Sequence, residues 1–255
     1  MGIIRNWRRR RILERYAIPP PAWRGVVDAL PVLAGLDAAE IDRMRALATL
    51  FLSEKSLEPV QDLRLTDAMR WTVAAHAVLP ILNLGIGWYD DWHSLVLYPG
   101  EFVTRHEWMD EEGLVHTRRE ILSGEAWERG PMVLSWADVA TAGALDGYNP
   151  VIHECAHKLD LRNGTANGQP PLHAGMDYRE WRDVFSAAFD DLIRRVDEGE
   201  ETPLDPYATD APGEFFAVMS EHFFETPHML MREYPGVYRQ LALFYRQDPA
   251  ARLSS

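Results

Sequence analysis

Five consecutive residues, His153-Glu154-Cys155-Ala156-His157, constrain this chain more than any other segment. In an α-helix, which turns about 100° per residue, the two histidines lie within about 40° of each other, so both imidazoles can reach one ion. Glu154 lies about 60° further round the helix, where it can approach an activated water without being a ligand. The motif therefore predicts a helix that holds a zinc ion beside a catalytic base.

The flanking residues favour a buried helix. Val151 and Leu159 supply apolar neighbours, and Asn149 followed by Pro150 is typical of a helix start. The single cysteine, Cys155, falls on the apolar side and is interpreted as a core residue rather than a nucleophile. The alternative is a surface helix that merely carries two histidines.

A catalytic zinc site needs a third protein ligand and an open position for water. A histidine six residues after His157 would indicate the metzincin class, but Asn163 occupies that position. The third ligand is therefore expected to be a carboxylate from another helix. A structural zinc site is a further alternative, which the placed base disfavours.

A second helix is predicted after Asp210, which can cap it, with Pro212 in its first turn. Glu214 and Glu221 lie two turns apart on one face of this helix, among phenylalanines and other apolar residues. Carboxylates in such surroundings need a buried partner, and zinc would be one. Taken alone, the pattern leaves either glutamate as the ligand.

Asp160 lies one turn after His157, and this spacing makes it a candidate to support the metal ligands. It could orient a ligand imidazole or cap the local turn. Glu221 could support a ligand in the same way from the second helix.

Composition and the pattern of apolar runs favour one α+β domain, and a domain with a helical extension is the alternative. The chain has 255 residues, of which 47% are hydrophobic, enough for a large core. Residues 1–90 are predicted to be mainly helical, with one helix starting at Asp37. Residues 91–140 are predicted to form a small mixed sheet that packs on the motif helix, and residues 145–250 the catalytic helices. Apolar runs that suggest strands include 95–98, 102–103, 121–122 and 132–134.

Charge and cysteine content limit the partners. The net charge of −13 argues against nucleic acid as the main partner. A single cysteine suits a reducing compartment, and the most apolar stretch, residues 73–87, is too short to cross a bilayer. We therefore expect a cytoplasmic protein without a membrane partner.

The five arginines at positions 5–11 are interpreted as a solvated helix start, with a weak contact to anionic lipid or nucleic acid as the alternative.

Three longer motifs extend the pattern beyond the two histidines. They are His153-Glu154-x-x-His157-Lys158-Leu159-Asp160 with Arg162-Asn163-Gly164, Tyr207-Ala208 with Pro212, Glu214 and Phe216-Ala217-Val218, and the C-terminal Phe244-Tyr245-Arg246-Gln247-Asp248-Pro249. These motifs resemble those of one known family, the Mlc titration factor A metallopeptidases of bacteria, which are zinc peptidases of the gluzincin type. The similarity spans roughly residues 20–250.

This resemblance implies roles for five residues. It implies that His153, His157 and Glu214 bind one Zn²⁺ per chain, that Glu154 is the general base, and that Tyr207 is a donor to the developing oxyanion. For Tyr207 the residues alone would favour packing.

The resemblance also implies a function: a zinc-dependent peptidase that hydrolyses short peptides, with aminopeptidase-like action and a regulatory link to an Mlc-like repressor of sugar-uptake genes. The alternative is a repressor-binding interaction protein whose peptidase activity is secondary. By analogy, the run Met132 to Trp136 is a candidate sheet edge for an extended peptide, and an ordinary buried strand is its alternative.

Overall fold

The computed structural model describes residues 2–100, 105–109, 115–119 and 130–253, with the backbone alone at 2–3 and in the two short middle ranges. Helices account for most of these residues. They are α1 (Gly2–Tyr16), α2 (Pro20–Ala29), α3 (Ala38–Glu54), α4 (Asp67–Val78), α5 (Trp136–Thr141), α6 (Pro150–Asp160), α7 (Tyr178–Asp197), α8 (Pro212–Glu225), α9 (Pro227–Glu233), α10 (Pro235–Tyr245) and α11 (Pro249–Arg252).

The strands form a small parallel sheet and a separate antiparallel pair. They are β1 (Ser56–Pro59), β2 (Ser94–Tyr98), β3 (Arg105–Met109), β4 (Val115–Arg119) and β5 (Met132–Ser135). The parallel sheet has the order β1-β2-β5, and β3 pairs with β4. The predicted α+β class is confirmed. β1 arises within the N-terminal part that was predicted to be mainly helical, and the predicted runs at 102–103 and 121–122 lie outside the described residues.

Local signals fix the longer helices. Asp37 begins α3 with a capping box: its carboxylate accepts a hydrogen bond from Glu40 N, and the Glu40 side chain accepts one from Asp37 N. In α7, residues at helical spacing such as Trp181, Phe185 and Leu192 are buried. The helix predicted to start at Asp37 is confirmed.

The basic N-terminal segment is only partly solvated. In α1, the guanidinium of Arg9 donates to both carboxylate oxygens of Glu54, at 2.7 and 2.9 Å, and to Asp90 at 3.0 Å. Arg8, Arg10 and Arg11 are exposed. Arg5 also pairs with Asp90, so two arginines of the cluster hold α1 to the rest of the fold, and Arg9 anchors it to the end of α3.

Aromatic side chains surround α8 and fix its position. Phe216 contacts Trp181 and Phe244, with ring centroids 6.0 and 6.1 Å apart. The hydroxyl of Tyr245 donates to Ser220 Oγ over 2.8 Å inside this cluster. Close packing of this kind leaves little freedom for the helix to rotate or slide.

The motif helix α6 lies between the sheet and the C-terminal helices. It packs against α8, α4 and β5. Lys158 Nζ donates a hydrogen bond to Gly130 O at 3.0 Å, just before β5. In the part of the chain that the structure describes, no helix combines the length and apolar character needed to cross a membrane.

Candidate metal centre

Helix α6 forms as the motif predicts. Asn149 Oδ1 accepts a hydrogen bond from Ile152 N at 3.1 Å, and Pro150 occupies the first turn. The apolar side of the helix, which includes Cys155, is fully buried. Burial raises the pKa of the Cys155 thiol to about 12, so this cysteine is a core residue, as predicted.

Helix α8 begins at Pro212, one residue later than a cap at Asp210 would place its start. Its N-cap is Ala211, which makes no side-chain capping hydrogen bond, so the predicted cap by Asp210 is wrong. Asp210 has helical dihedral angles and ends the preceding 3₁₀ turn. Pro212 lies in the first turn as predicted and removes one N–H group that a cap would otherwise satisfy. From Phe215 to Glu225 the helix is buried.

Three ligand atoms converge where α6 faces α8. His153 Nε2 lies 3.1 Å from His157 Nε2 and 3.1 Å from Glu214 Oε2, and His157 Nε2 lies 3.3 Å from the same oxygen. Ligands that surround a tetrahedral zinc ion at about 2.0–2.1 Å lie about 3.3 Å from one another. The three side chains therefore have the spacing that a single ion requires.

The charged and polar groups of His153, His157 and Glu214 also favour a cation shared between them. His153 Nδ1 lies 2.8 Å from Glu221 Oε1, so a neutral His153 that donates to Glu221 turns the lone pair of Nε2 towards Glu214. Burial alone lowers the pKa of His153, but the hydrogen bonds to Glu214 and Glu221 outweigh it and raise this pKa to about 10. Burial opposes ionisation of Glu214, yet the two histidines bring its pKa far below the usual value. A proton or a metal ion must therefore bridge these atoms.

Comparison with known proteins identifies the family. The profile of the family described as "Glucose-regulated metallo-peptidase M90" matches residues 4–246. The chain belongs to this metallopeptidase family. Among its relatives are proteins named Mlc titration factor A, as the sequence resemblance indicated. The one from Pectobacterium atrosepticum is 44% identical over 91% of this chain and 88% of its own length. Those of Yersinia enterocolitica and Yersinia pestis are both 41% identical, over 91% and 88% of this chain and over 87% and 84% of their own lengths.

In this M90 metallopeptidase, Tyr207 lies beside the three converging side chains. It belongs to a 3₁₀ turn, Pro206–Thr209, in which Asp205 Oδ1 accepts a hydrogen bond from Tyr207 N at 2.9 Å. Its ring centroid is 6.3 Å from that of His153. Burial and the adjacent carboxylate of Glu214 raise the pKa of Tyr207, so the phenol keeps its proton at neutral pH and can donate it in a hydrogen bond.

Glu154 is half-buried on the same helix as the two histidines. Its negative charge contributes to the raised pKa values of both His153 and Tyr207. The structure thus brings together all five residues that the sequence resemblance named.

The structure separates the two carboxylates that the sequence left as alternatives. Glu221 is 4% exposed and lies behind His153, where Oε1 faces Nδ1 of the imidazole and Oε2 accepts a hydrogen bond from Asn149 N at 2.5 Å. Glu214 faces Nε2 of both histidines instead. Glu221 is therefore placed to hold the ring of His153, and Glu214 to share an ion with it.

Asp160 makes no side-chain capping hydrogen bond to the 3₁₀ turn that follows α6, so the predicted capping of the local turn is not found. The Oδ2 atom of Asp160 accepts a hydrogen bond from Gly168 N at 2.6 Å. Burial raises the pKa of Asp160 to about 6, although backbone hydrogen bonds of this kind lower it. A Cβ at Gly168 would lie 2.6 Å from Pro212 O. Asp160 thus ties the end of α6 to the loop that packs against the start of α8.

Sequence reasoning missed a set of residues that hold the loop 142–149 before α6. His76 packs against Gly143 and His222 against Gly147, two glycines of this loop. Glu225 accepts a hydrogen bond from Leu145 N at 2.8 Å. The glycines were the available signal, because glycine permits close approach of a ring to the backbone.

Gly147→Ala is expected to lower the free energy of unfolding by about 2–4 kcal/mol, because backbone strain adds to overpacking. Gly147 has φ +96°, and a Cβ there would lie 2.5 Å from Cε1 of His222. Urea unfolding measures the effect. Gly164→Ala is the matched control, because Gly164 has φ +104° with no atom within 4 Å of the added Cβ. Equal losses in the two variants would contradict a clash with His222.

Proposed function

We propose that this chain is a zinc-dependent peptidase in which His153, His157 and Glu214 bind one Zn²⁺. The proposal is carried by one observation: two imidazole nitrogens and one carboxylate oxygen lie 3.1–3.3 Å apart on two buried helices. Nitrogen and carboxylate donors suit zinc, and three protein ligands leave a position for water or substrate. Membership of a metallopeptidase family supports the same function.

The proposed reaction is hydrolysis of a peptide bond by an activated water. When bound, zinc polarises the scissile carbonyl and makes the water more acidic. Glu154 removes a proton from the attacking water and passes it to the nitrogen of the departing amine. The hydroxyl of Tyr207 donates a hydrogen bond to the oxygen on which negative charge develops. Glu221 holds the imidazole of His153 through Nδ1, so that Nε2 faces the ligand atoms of His157 and Glu214 and would be free to bind the ion.

We propose short peptides as substrates, bound in extended form. The edge of the sheet supports this, because among the described residues β5 is an outer strand of the order β1-β2-β5, and it packs against α6. A peptide could add to such an edge by main-chain hydrogen bonds. Aminopeptidase-like action follows from the family resemblance in the sequence.

The substrate proposal is tested with matched peptides that differ only in a free or acetylated amino end. The zinc-loaded chain is expected to hydrolyse the free peptides faster, and excess chelator is expected to stop the reaction.

Tyr207→Phe is expected to lower kcat by roughly 100-fold or more with little change in KM, because one hydrogen bond to the transition state is lost. Equal rates on both peptide sets would contradict aminopeptidase action, and unchanged kcat in Tyr207→Phe would contradict the role of the phenol.

A second candidate function is the binding of a transcriptional repressor. Its support is the name of the similar proteins, Mlc titration factor A. A cytoplasmic location is part of this proposal, because a repressor acts there. A Glu154→Gln variant that still binds an Mlc-like repressor and still relieves repression would support interaction as the main function. Loss of regulation together with hydrolysis would support the peptidase.

We also propose that residues 1–255 form one metallopeptidase domain. One contiguous hydrophobic core runs from Ile18 to Tyr245 and includes residues of α2, β2, α6 and α10. A single cooperative unfolding transition seen by both fluorescence and circular dichroism is expected. Two separate transitions would contradict the proposal.

A further inference from the structure

Three buried polar side chains meet beside the candidate metal site that His153, His157 and Glu214 form. Asn149 precedes α6, Glu225 ends α8 and His76 lies in α4, and their exposed fractions are 0%, 1% and 0%. Polar groups are costly to bury unless each finds a partner. The arrangement is therefore a hydrogen-bonding junction between three helices.

Asn149 uses all of its polar side-chain atoms at this junction. Its Oδ1 accepts from Ile152 N, while Nδ2 donates to Glu225 Oε1 at 2.7 Å and lies 3.0 Å from His76 Nδ1. The second oxygen of Glu225 accepts from Leu145 N at 2.8 Å. Glu225 thus accepts one hydrogen bond from Leu145 N and one from the side chain of Asn149, both on the segment that leads into α6. Burial lowers the pKa of His76 to about 4, so this ring is neutral at pH 7 and its Nδ1 can accept.

One further carboxylate links this junction to the metal ligands. Glu221 lies one turn before Glu225 on α8, and its two oxygens contact Asn149 N and His153 Nδ1 at 2.5 and 2.8 Å. The start of α6 is therefore held to α8 by Glu221 and Glu225 together. The same two helices supply His153 and Glu214, whose ligand atoms must keep their separation for an ion to bind.

We infer that Asn149 and Glu225 are positioning residues that set α6 against α8, so that His153 and Glu214 are spaced for one divalent metal ion. The inference rests on the proposed zinc site and assigns two residues that contact neither the ion nor a substrate. The physical reason is directional: a carboxylate that accepts from two fixed donors defines position and rotation more tightly than apolar packing does.

The donor and acceptor pattern allows a complementation test. Glu225→Gln offers one acceptor oxygen to two donors and turns an amide N–H₂ towards one of them. Asn149→Asp keeps an oxygen for Ile152 N but places a second carboxylate against Glu225. When both substitutions are combined, the contact between the two side chains reverses direction. The amide at position 225 then donates to the carboxylate at position 149, while its oxygen accepts from Leu145 N. His76 can move its proton to Nδ1, because its Nε2 is buried without a hydrogen-bond partner in the described part of the chain.

The measurement is the zinc Kd of the metal-free full chain, by competition with a chromophoric chelator at neutral pH, beside thermal unfolding. Each single variant is expected to weaken the Kd by about 10- to 100-fold, as loss of support around metal ligands commonly does. The double variant is expected to recover most of that loss, which a merely additive structural effect would not do. Asn149→Ser, which keeps a cap but lacks the amide donor, gives the same readout if a single variant does not fold.

Tyr238→Phe is the matched structural control. It removes a hydroxyl that donates to Asp248, and Tyr238 lies in α10, which supplies none of the three side chains of the junction. It is expected to lower the unfolding midpoint and leave the zinc Kd unchanged. Wild-type Kd in the single variants, or a double variant as weak as the weaker single, overturns the positioning role while leaving the zinc site intact. A wild-type chain that binds no zinc overturns both proposals.

Discussion

Glu154→Gln is expected to lower kcat for peptide hydrolysis by about 100- to 10,000-fold, because a positioned general base contributes a factor of this size. The amide cannot take a proton from the attacking water. Zinc content is expected to stay at the wild-type value, since Glu154 is not among the three side chains whose ligand atoms converge. Steady-state kinetics and metal analysis of the same preparation measure both quantities.

Glu180→Gln is the matched control for this variant. It makes the same chemical change at an exposed residue in the first turn of α7, and we expect it to retain wild-type kcat and zinc content. Near wild-type hydrolysis by Glu154→Gln would show that another group removes the proton. Loss of zinc in Glu154→Gln would instead place this residue among the ligands.

Glu214→Ala is expected to weaken zinc binding by more than about 100-fold, a larger loss than the removal of a supporting residue causes. The variant loses a charged ligand whose oxygen lies 3.1 and 3.3 Å from the two imidazole nitrogens. Hydrolysis should fall with metal occupancy. Zinc should also raise the unfolding midpoint of the wild type but not of the variant, because a ligand stabilises only the fold that binds it.

Two comparisons make this result specific. Glu221→Ala should weaken zinc binding by only about 10- to 100-fold, because Glu221 contacts the far nitrogen of His153. Glu201→Ala, in the exposed loop after α7, should leave zinc binding unchanged. If Glu221→Ala lost more affinity than Glu214→Ala, the assignment of the third ligand would be reversed.

Features that short segments determine could be predicted from the sequence. The capping residues Asp37 and Asn149 and the spacing of apolar residues in α7 specify their helices through contacts within a few residues. The motif predicted that His153 and His157 share a side of α6 for the same reason. The cap of α8 was predicted wrongly because Asp210 completes the preceding 3₁₀ turn, a choice that the local pattern does not reveal.

Features that depend on the packing of distant segments could not be predicted from the residues alone. Glu214 and Glu221 share one helical face, and only the position of α8 against α6 decides which of them meets Nε2 of His153. The junction of Asn149 with His76 and Glu225 joins residues that are 73 and 76 positions apart. The family resemblance named Glu214 because it carries information about tertiary structure that spacing lacks.

The most direct test of the zinc site is a crystal structure of the zinc-loaded chain, with anomalous diffraction recorded on both sides of the zinc absorption edge. The account predicts one strong zinc peak at about 2.0–2.2 Å from His153 Nε2, His157 Nε2 and a carboxylate oxygen of Glu214. A zinc peak bound elsewhere, or a fully zinc-saturated solution that yields no peak between these three side chains, would contradict it.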